Sequence, residues 1–119
     1  MAILRSALEH LREVDKDFDP CDEPVLMKLV FVFNTVTKVR IHKMCLAIAN
    51  QQYKVAGQQA HLVKASAVNL GAITLAEICQ DIEDAANSNA QVNWKELSDM
   101  ASAAYMDAKE EIPKVIDTL

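Results

Sequence analysis

Hydrophobic positions recur at steps of three and four along nearly the whole chain. The first stripe, Ile3, Leu4, Ala7, Leu8, Leu11 and Val14, predicts a short helix that stops in the turn-rich stretch DKDFDPCDEP. Asp22 is placed to cap a second helix, with Pro24 in its first turn, where an amide hydrogen has no helical partner anyway. The stripe Val25, Leu26, Leu29, Val30, Phe33, Val36, Met44 and Ile48 predicts that this helix runs from about Glu23 to Asn50 as the longest strut of the fold. Its segment LVFVFNTV, read alone, suits a strand. The three-four spacing continues on both sides of it without turn residues, which keeps it helical.

A break near Gln51 to Tyr53 precedes a third helix to about Leu70, and Gly71 suits the left-handed conformation that closes it. The fourth helix carries Leu75, Ile78, Cys79, Ile82 and Ala86 on one face and ends in the cluster Asn87 to Asn89. The fifth opens with a capping box, Asn93 and Glu96, and continues through Leu97, Ala101, Ala104, Ala108, Ile112 and Val115. Pro113 is expected to kink it or end its regular part. With no internal repeat, the expected fold is all-α: one domain over residues 1–119, an antiparallel four-helix bundle with an additional short N-terminal helix.

Composition narrows the function. A chain of 119 residues suits one core. No apolar run approaches the roughly 20 residues of a membrane-spanning helix, and the start MAILRSALEHLREVDKD lacks a signal-peptide layout, so a cytoplasmic protein without a membrane partner is expected. Acidic residues outnumber basic ones 17 to 12, for a formal net charge of −5, which argues against nucleic acid as a partner. Three cysteines, Cys21, Cys45 and Cys79, have no scaffold-like spacing and read as reduced thiols, with Cys45 and Cys79 as small core residues. No Glu stands three residues before His10, His42 or His61, and His42 with Cys45 is two ligands short of a structural zinc site, so no metal site is expected.

Candidate chemistry gathers around one histidine. On a helical wheel of residues 53–70, Val55, Ala56, Leu62, Val63, Ser66, Ala67 and Leu70 form the core face. His61 points the other way, with Lys54, Gly57, Gln58, Lys64, Ala65 and Val68. Gly57 and Ala65, one turn to either side, leave the imidazole unshielded, and Lys64 lies near enough to meet a negative group on the ring. Neutral imidazole is a nucleophile near physiological pH and can accept a phosphoryl group on one nitrogen while the other holds a proton. Ser66, on the core side, suits packing or a backbone hydrogen bond. Asn69 and Gly71 suit the shaping of the helix end.

The run His61-Leu-Val-Lys64-Ala-Ser66-Ala-Val-Asn69-Leu-Gly71 resembles the signature of histidine-containing phosphotransfer domains, departing from it at Ala65, where those domains usually have glycine. The segment Cys79-Gln-Asp-Ile82-Glu83 is similar to a second stretch of that family, in which the residue at the place of Glu83 hydrogen-bonds the second imidazole nitrogen; a plain solvated role for Glu83 stays open beside it. The resemblance implies a phosphorelay intermediate: His61 takes a phosphoryl group from a receiver-domain aspartate and passes it to another, with Lys64 stabilising charge. Implied partners are receiver domains of response regulators and of a hybrid sensor histidine kinase. Magnesium is expected from the receiver, no cofactor from this chain, and the chain is expected to be monomeric, a phosphoryl carrier without ATP-dependent kinase activity. Gln58 and Lys54 would face the receiver or only solvent. Met27 and Phe31, off the main stripe of the second helix, would join the docking surface or lie under the N-terminal helix. The rival reading is an adaptor that binds receivers through an impaired site, for which Ala65 speaks. The chain reads as a free-standing protein or as a domain excised from a larger sensor kinase.

Overall fold

The computed structural model describes residues 3–16 and 24–119. Its helices are α1 (Arg5–Asp15), α2 (Val25–Asn34), α3 (Val36–Ala49), α4 (Tyr53–Asn69), α5 (Ile73–Ser88) and α6 (Trp94–Ile116). Helices α3 to α6 form the bundle, each packed on its neighbour in the chain, with α6 closing back onto α3. The additional helix α1 packs on α2 and α4. Phe33, Met44, Val63, Leu70, Leu75, Ile82 and Ile112 are fully buried in one core, joined by Leu8 from α1.

The expected long second helix is two helices, because its ladder is disturbed around Thr35. That residue sits at φ −116° and ψ −74°, and its hydroxyl donates back to the Phe31 carbonyl at 2.7 Å, a bond that competes with the helical pattern and bends helices. The Phe33 carbonyl accepts the buried Tyr105 hydroxyl at 2.7 Å. Past this point Thr37 and Ile41 turn inward and Val36, expected in the core, is exposed. Asp22 lies outside the described residues; the first amides of α2, those of Val25 and Leu26, donate to the Asp15 carboxylate at the end of α1, at 2.6 and 3.1 Å.

Other ends follow the sequence closely. Gly71 has φ +75°, and α5 stops at Ser88 with Asn89 left-handed. Asn93 accepts the Glu96 amide at 3.0 Å. Pro113 lies within α6, which ends one turn later.

The wheel for α4 needs correction. Val55 and Leu62 are exposed, while Gly57 and Ala60 are buried. The inward face is built from small residues, Ala56, Gly57, Ala60, Val63 and Ala67, so a ranking by side-chain size mistook its direction. Small residues let α4 and α5 approach closely: a Cβ on Gly57 would lie 2.7 Å from that of Ala86. Gly57 therefore sets the spacing of these helices and does not clear space above the imidazole.

Cys79 is fully buried in this seam, and burial pushes its thiol up to about 12. It is expected to stay a thiol and to resist alkylation in the folded protein, becoming labelled only on unfolding, as peptide mass spectrometry would read. Labelling of Cys79 at equal rates in folded and unfolded chains would contradict its place in the core.

Candidate functional site

The close approach of α4 and α5 brings His61 within reach of Glu83. The imidazole side chain is 66% exposed, and its Nδ1 lies 3.0 Å from both Glu83 oxygens. The Glu83 side chain is only 14% exposed, which removes the reading of a solvated surface carboxylate. An ionised carboxylate only accepts, so in the neutral ring Nδ1 carries the proton and donates it to Glu83. The Nε2 lone pair is then left unprotonated, which is the form a nucleophile requires.

Lys64, half-buried one turn after His61, joins the same carboxylate. Its ammonium donates to Glu83 Oε1 at 3.2 Å and to Gln80 Oε1 at 2.8 Å. Gln80 in turn donates from Nε2 to Asp84 at 2.8 Å. In this state the lysine charge is directed at Glu83 and Gln80 beside the ring. The sequence reading missed Gln80 and Asp84. Their signal was spacing, since positions 80, 83 and 84 share one face of α5.

The hydrogen bond from His61 holds the Glu83 carboxyl below the ordinary value of 4.5, against an opposing push from burial and with further help from Lys64. A carboxylate lowered by folding stabilises the fold above its unfolded value, and that contribution is lost as pH falls through the folded value. Wild type is therefore expected to melt higher than Glu83→Gln at neutral pH, with the gap closing only below about pH 4.5. Thermal melts of both proteins across that range test this; a gap that persists in strong acid would assign the difference to packing.

Other candidates fall into two groups. Gln58 and Lys54 are exposed and, with His61, Leu62, Glu83 and Asn87, line a shallow depression of about 400 Å³. Ala65 is exposed beside them. Ser66 is half-buried and makes no side-chain hydrogen bond among the described residues. Asn69 lies two turns beyond His61, about 12 Å along the axis, and Gly71 is buried beneath Leu4, so neither touches the imidazole. Met27 and Phe31 are exposed, not covered by α1.

The sequence profile of the Hpt domain matches residues 29–118. The chain belongs to the Hpt domain family. This Hpt domain serves histidine phosphotransfer in a two-component phosphorelay, and Hpt domains work with receiver domains. Among solved structures, it is similar to histidine-containing phosphotransfer protein B from Pseudomonas aeruginosa PAO1, with a TM-score of 0.81 at 18% identity over 98% of this chain and 96% of that one. That likeness extends the shared bundle fold across α1, which lies outside the Hpt profile. No curated protein matches the chain. Among the described residues, no helix of this Hpt domain is long and apolar enough to cross a membrane.

Proposed function

We propose that His61 is the phosphoacceptor of this Hpt domain. The observation that carries the reading is the bond from Nδ1 to Glu83, which leaves a nucleophilic Nε2 on an exposed ring. A receiver aspartyl phosphate docks over it. The Nε2–P bond forms as the aspartyl O–P bond breaks, and the aspartate leaves as a carboxylate. The proton on Nδ1 stays in its hydrogen bond to Glu83, whose negative charge balances the positive charge that develops on the ring. Transfer to a second receiver reverses these steps.

Lys64 stabilises the charge of the phosphoryl oxygens, one turn away on the same helix, and it exchanges part of its contact with Glu83 to do so. Magnesium comes with the receiver, which holds the metal beside its own aspartate. Ala65 adds one methyl near this face and leaves the ring accessible, so the phosphotransfer reading is favoured over that of an impaired adaptor. The donors are receivers of a hybrid sensor histidine kinase, and the acceptors are receivers of response regulators.

The test is incubation with a panel of phosphorylated receiver domains and magnesium, followed by a search for acid-labile, base-stable phosphate and its location by mass spectrometry. Label on His61 is the expected result. Label on another residue, or none from receivers that bind, would overturn the assignment.

A further inference from the structure

The Lys64 ammonium has three hydrogens to donate and two partners among the described residues. The two bonds differ in an informative way. A charge-assisted bond from an ammonium to a carboxylate is ordinarily the shorter kind, about 2.7–2.9 Å, yet Lys64 stands 3.2 Å from Glu83 Oε1 and 2.8 Å from the neutral amide oxygen of Gln80. The amide holds the lysine, and the carboxylate is the looser contact.

A glutamine can present either end of its amide. Turned with its NH2 toward Lys64 it would set donor against donor, so it serves the lysine only with its oxygen inward. Asp84, one turn further along α5, fixes that choice. Its carboxylate only accepts, and it takes the Gln80 Nε2 hydrogen at 2.8 Å, which leaves Oε1 for Lys64. Hydrogen bonds in such a chain polarise one another, so the Asp84 charge also makes the Gln80 oxygen a stronger acceptor. The chain runs inward from the exposed Asp84 through half-buried Gln80 to Lys64.

We infer that Gln80, oriented by Asp84, is a positioning residue: it is the pivot on which Lys64 turns between Glu83 and a phosphoryl group on His61. The inference rests on the phosphotransfer reading given above. An ammonium left alone beside a carboxylate closes onto it as an ion pair, and Lys64 would then be drawn away from the phosphoryl oxygens. Gln80 prevents this by holding the ammonium at the side of Glu83. During transfer Lys64 keeps its bond to Gln80, gives its third hydrogen to a phosphoryl oxygen, and loosens its hold on Glu83. The carboxylate is then free to balance the charge that grows on the imidazole as the Nε2–P bond forms.

The test measures the rate at which phosphoramidate labels His61; this small donor loses ammonia as its N–P bond breaks, so no receiver surface enters the rate. Circular dichroism establishes that each variant folds. Gln80→Leu keeps the bulk of the side chain and removes both of its bonds, and it is expected to slow labelling about three- to tenfold. The double variant Lys64→Ala/Gln80→Leu is expected to be as slow as Lys64→Ala and no slower, because Gln80 acts through the lysine. Asp84→Leu is expected to match Gln80→Leu, and Asp84→Asn, whose amide oxygen still accepts from Gln80, to recover most of that loss. The ring nitrogens of His61 should keep their NMR shifts in Gln80→Leu, since the bond to Glu83 remains. A Gln80→Leu protein as fast as wild type would overturn the inference. So would a double variant slowed beyond Lys64→Ala by the full factor of Gln80→Leu, which would assign Gln80 to helix packing, or an Asp84→Asn protein as slow as Asp84→Leu. Wild type without label at His61 would defeat the phosphotransfer reading itself, whereas label at a rate indifferent to Gln80 would defeat only the pivot.

Discussion

Replacing His61 by glutamine is expected to abolish phosphoryl uptake while changing stability by no more than about 0.5 kcal/mol. The two halves of this expectation have separate causes. Uptake needs a nitrogen lone pair, and an amide nitrogen has none to offer because it is delocalised into the carbonyl. Stability is spared because the ring is largely exposed and because a glutamine amide can still donate to Glu83. Phosphate labelling from receivers and from phosphoramidate measures the first half, and urea unfolding the second. Residual label would place the phosphoryl group on another residue. A loss of more than about 2 kcal/mol would mean that the imidazole holds α4 to α5 and is not a free reactive group.

A large effect on stability is expected at Gly71, in the buried turn between α4 and α5. Gly71→Ala should cost about 2–4 kcal/mol, with little effect on phosphoryl uptake. At φ +75° an alanine is strained before any contact is considered. Its Cβ would also lie 2.5 Å from the Leu4 carbonyl oxygen, 3.0 Å from the Leu4 nitrogen and 3.2 Å from Ala7 Cβ. Two of these are backbone atoms, which cannot swing aside, and the Leu4 amide is itself bonded to the Gly71 carbonyl at 2.7 Å. Relief therefore requires the N-terminal segment to move. Equilibrium unfolding in urea gives the magnitude; a cost below about 1 kcal/mol would mean that the segment yields without loss, and that its contact with the α4–α5 turn contributes little.

Much of this fold was legible because its signals are local. Gly71 and the Asn93 cap depend on residues within one turn of themselves, and the stripes of α5 and α6 are regular. The break at Thr35 was hidden because the forces that make it are distant or ambiguous: Tyr105 is 72 residues from Phe33, and a threonine in an apolar run gives no sign of whether its hydroxyl bends the helix. The direction of α4 was partly misread for a different reason. Its buried face is made of alanine and glycine, whose value lies in permitting close approach, while Val55 and Leu62 point outward. At the site, the motif drew attention to His61, Lys64 and Glu83, but only geometry brought Gln80 and Asp84 into their hydrogen-bond network.

The N-terminal helix is tied to the rest of the molecule by contacts between remote parts of the chain. Ile3 bridges Ala72, and Arg5 donates to the Thr118 carbonyl across a separation of 113 residues. The pair α4 and α5, by contrast, is joined by a three-residue turn. Closing a long loop costs more entropy than closing a short one, so local pairs form ahead of remote ones. The α4–α5 hairpin is thus a local unit of the chain, whereas the N-terminal helix is held by remote contacts. His61 and Glu83 sit on opposite arms of that hairpin, so their contact is made by a pairing of neighbouring helices and does not depend on the closure of the long loop to α1.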